Sequence, residues 1–469
     1  MSEDRKRHCW ECRRRCLVCD FGRPACSRCV KARIECPGYG DSPPMKLKWL
    51  APGKVKSRSW RVKSAGDQDQ SSSSTASRAG RTKDAVNQCI YPDICALREL
   101  GFDVPKYEFS PSHFQHVFGL PEYIRFGLVC MSLSHRMSRT PNGFRSNALA
   151  EPFYRYRGLI IRGLRDDMDV EHKRTCDSVI AGILTILLAD AHQGASSHWR
   201  THLEGLQKII TLRGGIRVLA KQPRLLPLLL SFVFVTVIGD STAPASDMVM
   251  TSAHFKELEL LLEEYGKVIF AFQMCPTPLF AEIVKINHIR VLSLKQQPTE
   301  VDLLKEGYKA LHRVQAFSSE EWAENKPASK KDWLLLADVY QVSTELFCLL
   351  SLQSLAILPR SPLMRENCNT HAELLQVLLE QALVALPIKR FLLWPMVVLG
   401  VEAAQGGALM RAFVREQLPE LSRYIGTYVP LMAQDVLERF WDSGKARWDD
   451  CFDKPYAFAT QIGLDMSAL

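Results

Sequence analysis

Cysteines crowd the start of the chain. Seven of the 15 lie between Cys9 and Cys36, and six of these follow the pattern C-x2-C-x6-C-x6-C-x2-C-x6-C. The six are Cys9, Cys12, Cys19, Cys26, Cys29 and Cys36. No secretory signal sequence opens the chain, so we expect an intracellular protein with reduced thiols. Thiolates at this short spacing are typical of metal ligands. The pattern predicts a metal-thiolate site.

The number of sulfurs predicts how many ions they bind. Structural zinc is tetrahedral and takes four ligands, so six thiolates serve two ions only when two sulfurs are shared. The spacing falls into two matching halves, which favours two zinc ions with two bridging sulfurs. A single ion bound by both C-x2-C pairs, as in a zinc ribbon, is the alternative, and it leaves Cys19 and Cys36 without a metal.

Cys16 stands outside the six-cysteine pattern. It can be a surface thiol, a redox-sensitive thiol whose thiolate is favoured by the adjacent arginines, or a substitute ligand for Cys19. We interpret it as a surface thiol, because a ligand at this position would break the six-residue spacing that both halves share.

Positive charge accompanies the cysteines. Residues 1–83 carry 20 Lys and Arg against 8 Asp and Glu, whereas the remaining residues carry 40 against 43. Basic segments bind polyanions because Lys and Arg that neutralise phosphates release condensed counterions. The charge distribution therefore favours a nucleic-acid partner, and a solvated basic tail without a partner is the alternative.

Composition divides the chain into three parts. We predict a cysteine-rich domain at residues 1–40, a basic, Ser- and Pro-rich flexible linker at 41–97, and a large domain at 98–469. The linker has no heptad repeat, so we expect no leucine zipper beside the cysteines. With 46% hydrophobic and 24% charged residues, most of the chain has the composition of a globular protein.

Helical periodicity dominates the large domain. In SSHWRTHLEGLQKIITLRGG, apolar residues recur at steps of three and four, Ser197 can cap the start, and Gly214 and Gly215 can end the helix. Similar patterns follow His254, Leu334 and Ala372. The apolar runs that begin at Val179 and Leu225 are too short for a membrane span and are interpreted as buried helices. We predict an all-α domain and no membrane partner.

The N-terminal cysteines resemble those of the fungal binuclear zinc cluster (Zn₂Cys₆) transcription factors. The likeness comprises the six-cysteine spacing, the arginines after the second cysteine, Asp20 after the third, Pro24 before the fourth, and the ending ECPGYG. The resemblance implies a small domain of two short helices and two zinc ions, with Cys9 and Cys26 as bridging ligands. It also implies that Pro24 shapes the loop between the helices.

The same resemblance implies binding to double-stranded DNA in the nucleus. In this family the first helix enters the major groove and reads a CGG-type triplet with basic residues between the second and third cysteines. We therefore expect regulation of genes transcribed by RNA polymerase II. The expected DNA-binding residues are Arg13, Arg14 and Arg15 at the bases, and Lys46, Lys48, Lys54 and Lys56 at the phosphates.

The large domain carries a weaker resemblance to the fungal transcription factor regulatory region. The segments HLEGLQKIITLRGG and FLLWPMVVLGVEAA carry it, and they imply a helical domain without a catalytic role. No phosphate-binding glycine loop, nucleophile elbow or dinucleotide fingerprint is present, so we expect no enzyme. Transcription co-regulators and a homodimeric or heterodimeric partner are further expectations.

Two residues of the first helix favour an alternative function. Where the family usually has basic residues, this chain has Cys16 and Val18, and neither side chain donates effectively to guanine. The alternative is a zinc-cluster interaction protein, or one half of a heterodimer, with weakened base reading. The retained Arg15 and the basic linker favour the DNA-binding regulator.

Overall fold

Two separate parts of the chain are described in the computed structural model. Near the N-terminus these are residues 9, 12, 19–32, 34 and 36. The second part comprises residues 121–139, 147–193, 199–222, 225–250, 254–255, 258, 275–295, 299–324, 326 and 328–459. The chain divides into two compact units, Met1–Gln70 and Ser71–Leu469.

The first unit contains one helix with described bounds, α1 (Ser27–Lys31). Cys12 is also helical, and its neighbours on either side lie outside the described residues. Five cysteines form the buried centre of this unit, and Cys36 packs against them. A cluster of sulfurs therefore occupies the place that aliphatic side chains take in a larger domain.

The second unit is helical throughout its described residues, which contain no β-strand. Its N-terminal helices are α2 (Glu122–Arg139), α3 (Asn147–Met168), α4 (Asp177–Gln193), α5 (Trp199–Leu212), α6 (Ile216–Leu219) and α7 (Leu226–Ser241). A 3₁₀ turn follows at Ala245–Asp247. The later helices are α8 (Thr277–Leu292), α9 (Glu300–Gln315), α10 (Ser319–Glu324), α11 (Lys330–Ser354), α12 (Pro362–Val384), α13 (Leu386–Lys389), α14 (Leu393–Gly406), α15 (Ala408–Ile425), α16 (Val429–Asp442) and α17 (Trp448–Cys451). The prediction of a large all-α domain is confirmed.

The core of the helical unit forms around α11 and α14, in which most of the residues are buried. Helices that are apolar on all sides are buried in the centre of a domain, whereas helices with one apolar stripe lie at its surface. In the part of the chain that the structure describes, α11 alone is long and apolar enough to span a membrane. Of the 18 residues that form its most apolar stretch, 78% are buried inside the protein. We therefore interpret α11 as the central core helix.

Several helix predictions are confirmed. The predicted helix before the two glycines is α5, and Gly214 and Gly215 follow it with φ values of 89° and 93°. Such angles suit glycine, because a Cβ is strained in this region. The apolar runs from Val179 and Leu225 form the buried helices α4 and α7. Ser197 and most of the segment after His254 lie outside the described residues.

Arg290 in α8 binds the C-terminal end of α7. Its guanidinium donates to the main-chain oxygen of Asp240 at 2.9 Å and to that of Ala243 at 2.5 Å. It also lies 3.3 Å from a carboxylate oxygen of Asp449. The last carbonyls of a helix have no partner within the helix, so a cation at this end satisfies them. Arg290 thereby joins three separate parts of the sequence inside the core.

The described cysteines outside the N-terminal cluster are part of the helical core. Those described are Cys130, Cys275, Cys348, Cys368 and Cys451, which are buried, and Cys176, which is half-buried. Burial raises the pKa of Cys130 to about 12, so this thiol stays neutral at physiological pH. These residues behave as small apolar side chains.

Candidate metal centre and nucleic-acid interface

The six cysteines of the sequence pattern come together in the first unit. They form two groups of four, and within each group all sulfurs lie within 4.8 Å of one another. The groups are Cys9, Cys12, Cys19 and Cys26, and Cys9, Cys26, Cys29 and Cys36. Each half of the sequence pattern therefore supplies ligands to both groups, and Cys9 and Cys26 belong to both.

The sulfur positions fit zinc. Zinc–sulfur bonds of about 2.3 Å in a tetrahedron place neighbouring sulfurs about 3.8 Å apart. The Sγ of Cys26 lies 3.6 Å from that of Cys9 and 3.6 Å from that of Cys12, and the Sγ of Cys9 lies 3.8 Å from that of Cys29. A disulfide would need about 2.05 Å. The spacing is that of thiolates around a shared ion.

The same local structure positions the two shared sulfurs. Cys26 is the N-cap of α1, and its Sγ accepts the backbone N–H of Cys29 at 3.4 Å. In the other half, the Sγ of Cys9 accepts the backbone N–H of Cys12, also at 3.4 Å. A helix start directs its free N–H groups at the thiolate and favours negative charge there. The two C-x2-C pairs of the sequence thus form the same hydrogen bond, from the backbone N–H of the second cysteine to the sulfur of the first.

Crowding of the sulfurs opposes their ionisation in the absence of a cation. Burial, followed by contacts with neighbouring thiols, raises the pKa of Cys12 to about 12. Burial is also the main cause of the raised pKa of Cys29. Metal ligation requires thiolates, so metal binding at this site releases protons. A bound cation supplies the positive charge that this arrangement of sulfurs needs.

Two family profiles match the sequence. Residues 7–45 match the fungal Zn(2)-Cys(6) binuclear cluster domain, and residues 117–463 match the fungal specific transcription factor domain. The chain belongs to the fungal Zn₂Cys₆ transcription factors. Its N-terminal domain is a zinc-binding and DNA-binding domain, and the protein is a fungal transcription regulator.

A relative of similar length supports this assignment. The chain is 44% identical over 479 residues to the phomenoic acid biosynthesis cluster-specific transcriptional regulator of Leptosphaeria maculans. The match covers 99% of this chain and 92% of the relative. No solved structure matches the chain. The likeness to the relative extends over both the zinc cluster and the helical domain.

A polar contact positions the second half of the zinc cluster. Both carboxylate oxygens of Asp20 lie 3.1 Å from the backbone nitrogen of Ser27, and the Ser27 hydroxyl donates to the same carboxylate. These hydrogen bonds, that of the hydroxyl first, lower the pKa of Asp20. Sequence analysis had assigned no role to Ser27, although the acid directly after the third cysteine and the serine directly after the fourth were visible.

The loop between the two halves turns at Pro24. The Arg23–Pro24 peptide bond is cis, and Phe21 has a φ of 58°. The chain bends at residues 23–25, around the proline that the resemblance implies shapes this loop.

The predicted DNA-binding residues lie outside the described residues, so their contacts stay predictions. This holds for the arginines after the second cysteine and for the lysines of the linker: Arg13, Arg14, Arg15, Lys46, Lys48, Lys54 and Lys56. It holds also for Cys16 and Val18. Of the groups named by sequence analysis, the structure brings the six cysteines together.

Proposed function

We propose that the protein is a nuclear regulator of RNA polymerase II genes that reads a CGG-type site through its zinc cluster. Its ligands are the six cysteines of the pattern, with Cys9 and Cys26 bridging two zinc ions. The observation that carries this proposal is the membership of these two sulfurs in both four-sulfur groups. A ribbon with a single ion would need one group only.

The chemistry assigned to the arginines is base reading. Arg13, Arg14 and Arg15 follow Cys12, at the helix that the family inserts into the major groove. An arginine that donates two hydrogen bonds to guanine contributes about 1–3 kcal/mol of discrimination against a wrong base. The zinc ions hold the two helices and take no part in base contacts. The cluster thus fixes the position of the short helix whose arginines contact the bases.

Phosphate contacts are assigned to the basic linker. Lys46, Lys48, Lys54 and Lys56 lie within residues 1–64, which carry 17 basic and 6 acidic residues. With about 4 to 6 phosphate contacts, the plot of log affinity against log salt should have a slope of about −4 to −5. The linker to which these lysines belong is residues 41–97, between a proposed zinc-cluster domain at 1–40 and a proposed helical domain at 98–469.

Binding of the full-length protein to duplexes with a CGG triplet and with a scrambled triplet, at one fixed salt concentration, tests the proposal. We expect Arg15→Gln to reduce the ratio of the two affinities. Lys48→Gln is the matched control, because loss of a phosphate contact weakens binding to both duplexes equally. Equal affinity of the natural protein for both duplexes would exclude base reading.

The second candidate is a zinc-cluster protein that reads bases weakly, alone or as one half of a heterodimer. The observation in its favour is the presence of Cys16 and Val18 in the segment that reads the triplet. Cys16→Lys, alone and with Val18→Lys, should then increase the ratio of specific to nonspecific affinity. If the natural protein already selects CGG strongly and Cys16→Lys leaves the ratio unchanged, this candidate is wrong.

The target genes are inferred from the relative. Because it is named as a regulator of one biosynthesis cluster and matches nearly the whole chain, we infer that this protein controls a cluster of biosynthetic genes. It acts there with co-regulators and as a homodimer or heterodimer. A genome-wide binding map in the host tests this inference. Sites spread evenly over unlinked genes would contradict it.

A further inference from the structure

Helix α12 has an exposed stripe on the side opposite its core face. Seven residues of this stripe are spaced alternately by four and three, and each is exposed. They are Leu363, Asn367, Thr370, Leu374, Val377, Gln381 and Val384. Alternating steps of three and four are the spacing of a coiled-coil seam, and the stripe spans three heptads.

The stripe is separate from the face that binds the protein's own core. Cys368, Ala372, Leu375 and Leu379 are among the buried residues of α12. The four apolar residues of the stripe are exposed to 67%, 47%, 50% and 79%, in chain order. Single exposed apolar residues are common on protein surfaces, but a row at heptad spacing is typical of an interface.

The charges beside the stripe decide how a second copy could pair with it. Glu366, Glu373 and Glu380 form one edge, at the heptad positions called g, and all three are exposed. An antiparallel copy would place these edges against each other, which like charges oppose. A parallel copy places each g edge against the partner's e edge, whose α12 residues Met364, His371 and Leu378 include no acid. The carboxylate of Glu345 in α11 reaches this edge, but it is buried and hydrogen-bonded to His371. Charge therefore favours a parallel pair.

The polar residues of the seam fit the same arrangement. In a parallel pair, Asn367 and Gln381 each meet the same residue of the other copy. A side-chain amide both donates and accepts, so it is complementary to its own copy. An asparagine at one such seam position specifies register and two-stranded pairing, at some cost in stability. The seam is thus self-complementary in its apolar and its polar residues.

We propose that the α12 stripe is a dimer interface on which a second copy of this chain packs in parallel about a two-fold axis. The inference deepens the proposed function, because a dimer presents two zinc clusters to DNA with two triplets. The partner of the regulator is then another copy, and the contact lies in the helical domain. The linker has no heptad repeat to supply it.

Analytical ultracentrifugation of the zinc-loaded, full-length protein tests the interface. The natural protein should sediment as a dimer, at twice its mass of 53.1 kDa. Leu374→Glu with Val377→Glu should sediment as a monomer, because the new carboxylates face each other across the seam. Both positions are exposed, so helicity and unfolding temperature should stay unchanged. Val301→Glu is the matched control, since Val301 in α9 is 73% exposed and lies outside the stripe.

Two results would overturn the interface. One is a natural protein that is monomeric at micromolar concentration, and the other is a double variant that remains dimeric. A photo-crosslinking residue at Val384 tests the orientation, since a parallel pair joins position 384 to 384 of the other copy. A cross-link from 384 to 363 would show an antiparallel pair and exclude the parallel one.

DNA binding distinguishes this proposal from the proposed function. The double variant should keep its zinc and its affinity for a duplex with one triplet, and lose the additional affinity for a duplex with two. Absence of any CGG preference in both proteins would reject the base-reading function and leave the dimer intact. Equal gain from the second triplet in both proteins would reject the interface and leave base reading intact.

Discussion

The zinc cluster and the helical domain are stabilised by different interactions. In the cluster the buried residues that the structure describes are the cysteines themselves, whereas the helical domain buries a continuous apolar core drawn from most of its helices. A segment of 28 residues, from Cys9 to Cys36, is too short for a useful apolar core. Structural zinc supplies about 10–16 kcal/mol in such small domains. Metal binding and folding are therefore one event in the cluster.

The difference predicts how each part responds to substitution. A metal site needs particular atoms at particular distances, so one lost ligand removes the ion. An apolar core averages over many contacts, and most single changes cost about 0.5–3 kcal/mol. Substitutions can therefore distinguish the two parts. Some should remove zinc from the cluster and leave the stability of the helical domain unchanged, and others should destabilise the helical domain and leave the zinc content unchanged.

Replacement of a shared sulfur should have the largest effect. Cys26→Ala is expected to lose both zinc ions, because this sulfur belongs to both four-sulfur groups. The loss removes about 10–16 kcal/mol from the folding of the cluster. Zinc content by native mass spectrometry and thermal unfolding by circular dichroism measure both parts of one sample. The helical domain should unfold at an unchanged temperature.

The control is Cys176→Ala in the helical domain, which should keep both ions. Retention of one zinc by Cys26→Ala would show that the two groups bind metal independently, as two separate sites. A lowered unfolding temperature of the helices would contradict the independence of the two parts.

Arg290→Met is the corresponding change in the helical domain. The substitution leaves the carbonyls at the end of α7 without a partner and removes the charge beside Asp449. Removing one partner from a buried, hydrogen-bonded charge pair costs about 3–5 kcal/mol. Urea unfolding should show this loss while the zinc content stays at two. Arg415→Met removes an exposed ion pair with Glu438, so its cost should be about 0–1 kcal/mol. Equal costs for both variants would show that burial of Arg290 is unimportant.

Sequence analysis predicted the parts of the molecule that depend on local patterns. The six cysteines were identified because fixed ligand spacing is specific to a metal site. The helices α5, α11 and α12 were recognised because apolar residues repeat at the period of a helix. Both signals lie within one short segment, where the spacing along the chain determines the spacing in space.

Contacts between distant segments could not be predicted in this way. Arg290 donates to carbonyls that lie about fifty positions earlier in the chain. No pattern in the sequence near Asp240 indicates that a cation binds there. Periodicity identified the helix after Ala372 but could not say that Leu374 and Val377 point away from the core. Whether an apolar residue is buried or exposed depends on the helices packed around it. The outward stripe of α12 is therefore visible only in the folded domain.

Gly426 gives a smaller test of packing in the helical domain. It ends α15 with a φ of 77°, and a Cβ at this position would clash with the His135 ring. Gly426→Ala should therefore cost about 1–3 kcal/mol through backbone strain, in addition to the clash. Chemical denaturation measures the cost. In α3, a Cβ on Gly158 would meet no atom within 4 Å, so Gly158→Ala should instead stabilise by about 0.5–1 kcal/mol. An unchanged stability of Gly426→Ala would contradict both the backbone strain and the clash with the His135 ring.

The smallest expected effect is a pH dependence that belongs to the helical domain alone. Burial, aided by the charge of Arg139, lowers the pKa of His135 from 6.5 to about 4. Between pH 6.5 and about 4, His135 is therefore protonated in the unfolded chain and neutral in the folded domain. The free energy of unfolding falls as the pH decreases through this range. From pH 6.5 to 5.5 the loss should be about 1 kcal/mol. Urea unfolding at both pH values measures it.

His135→Asn isolates this contribution from the other histidines. A hydrogen bond to Glu345 raises the pKa of His371, so His371 acts in the opposite sense: its stabilisation is complete below pH 6.5 and is lost as the pH rises through the folded pKa. The difference between the natural protein and the variant cancels His371 and leaves His135. That difference should fall by about 1 kcal/mol on acidification from pH 6.5 to 5.5. A difference that stays constant over this range would mean that His135 takes up its proton at the same pH in the folded domain as in the unfolded chain, despite its burial.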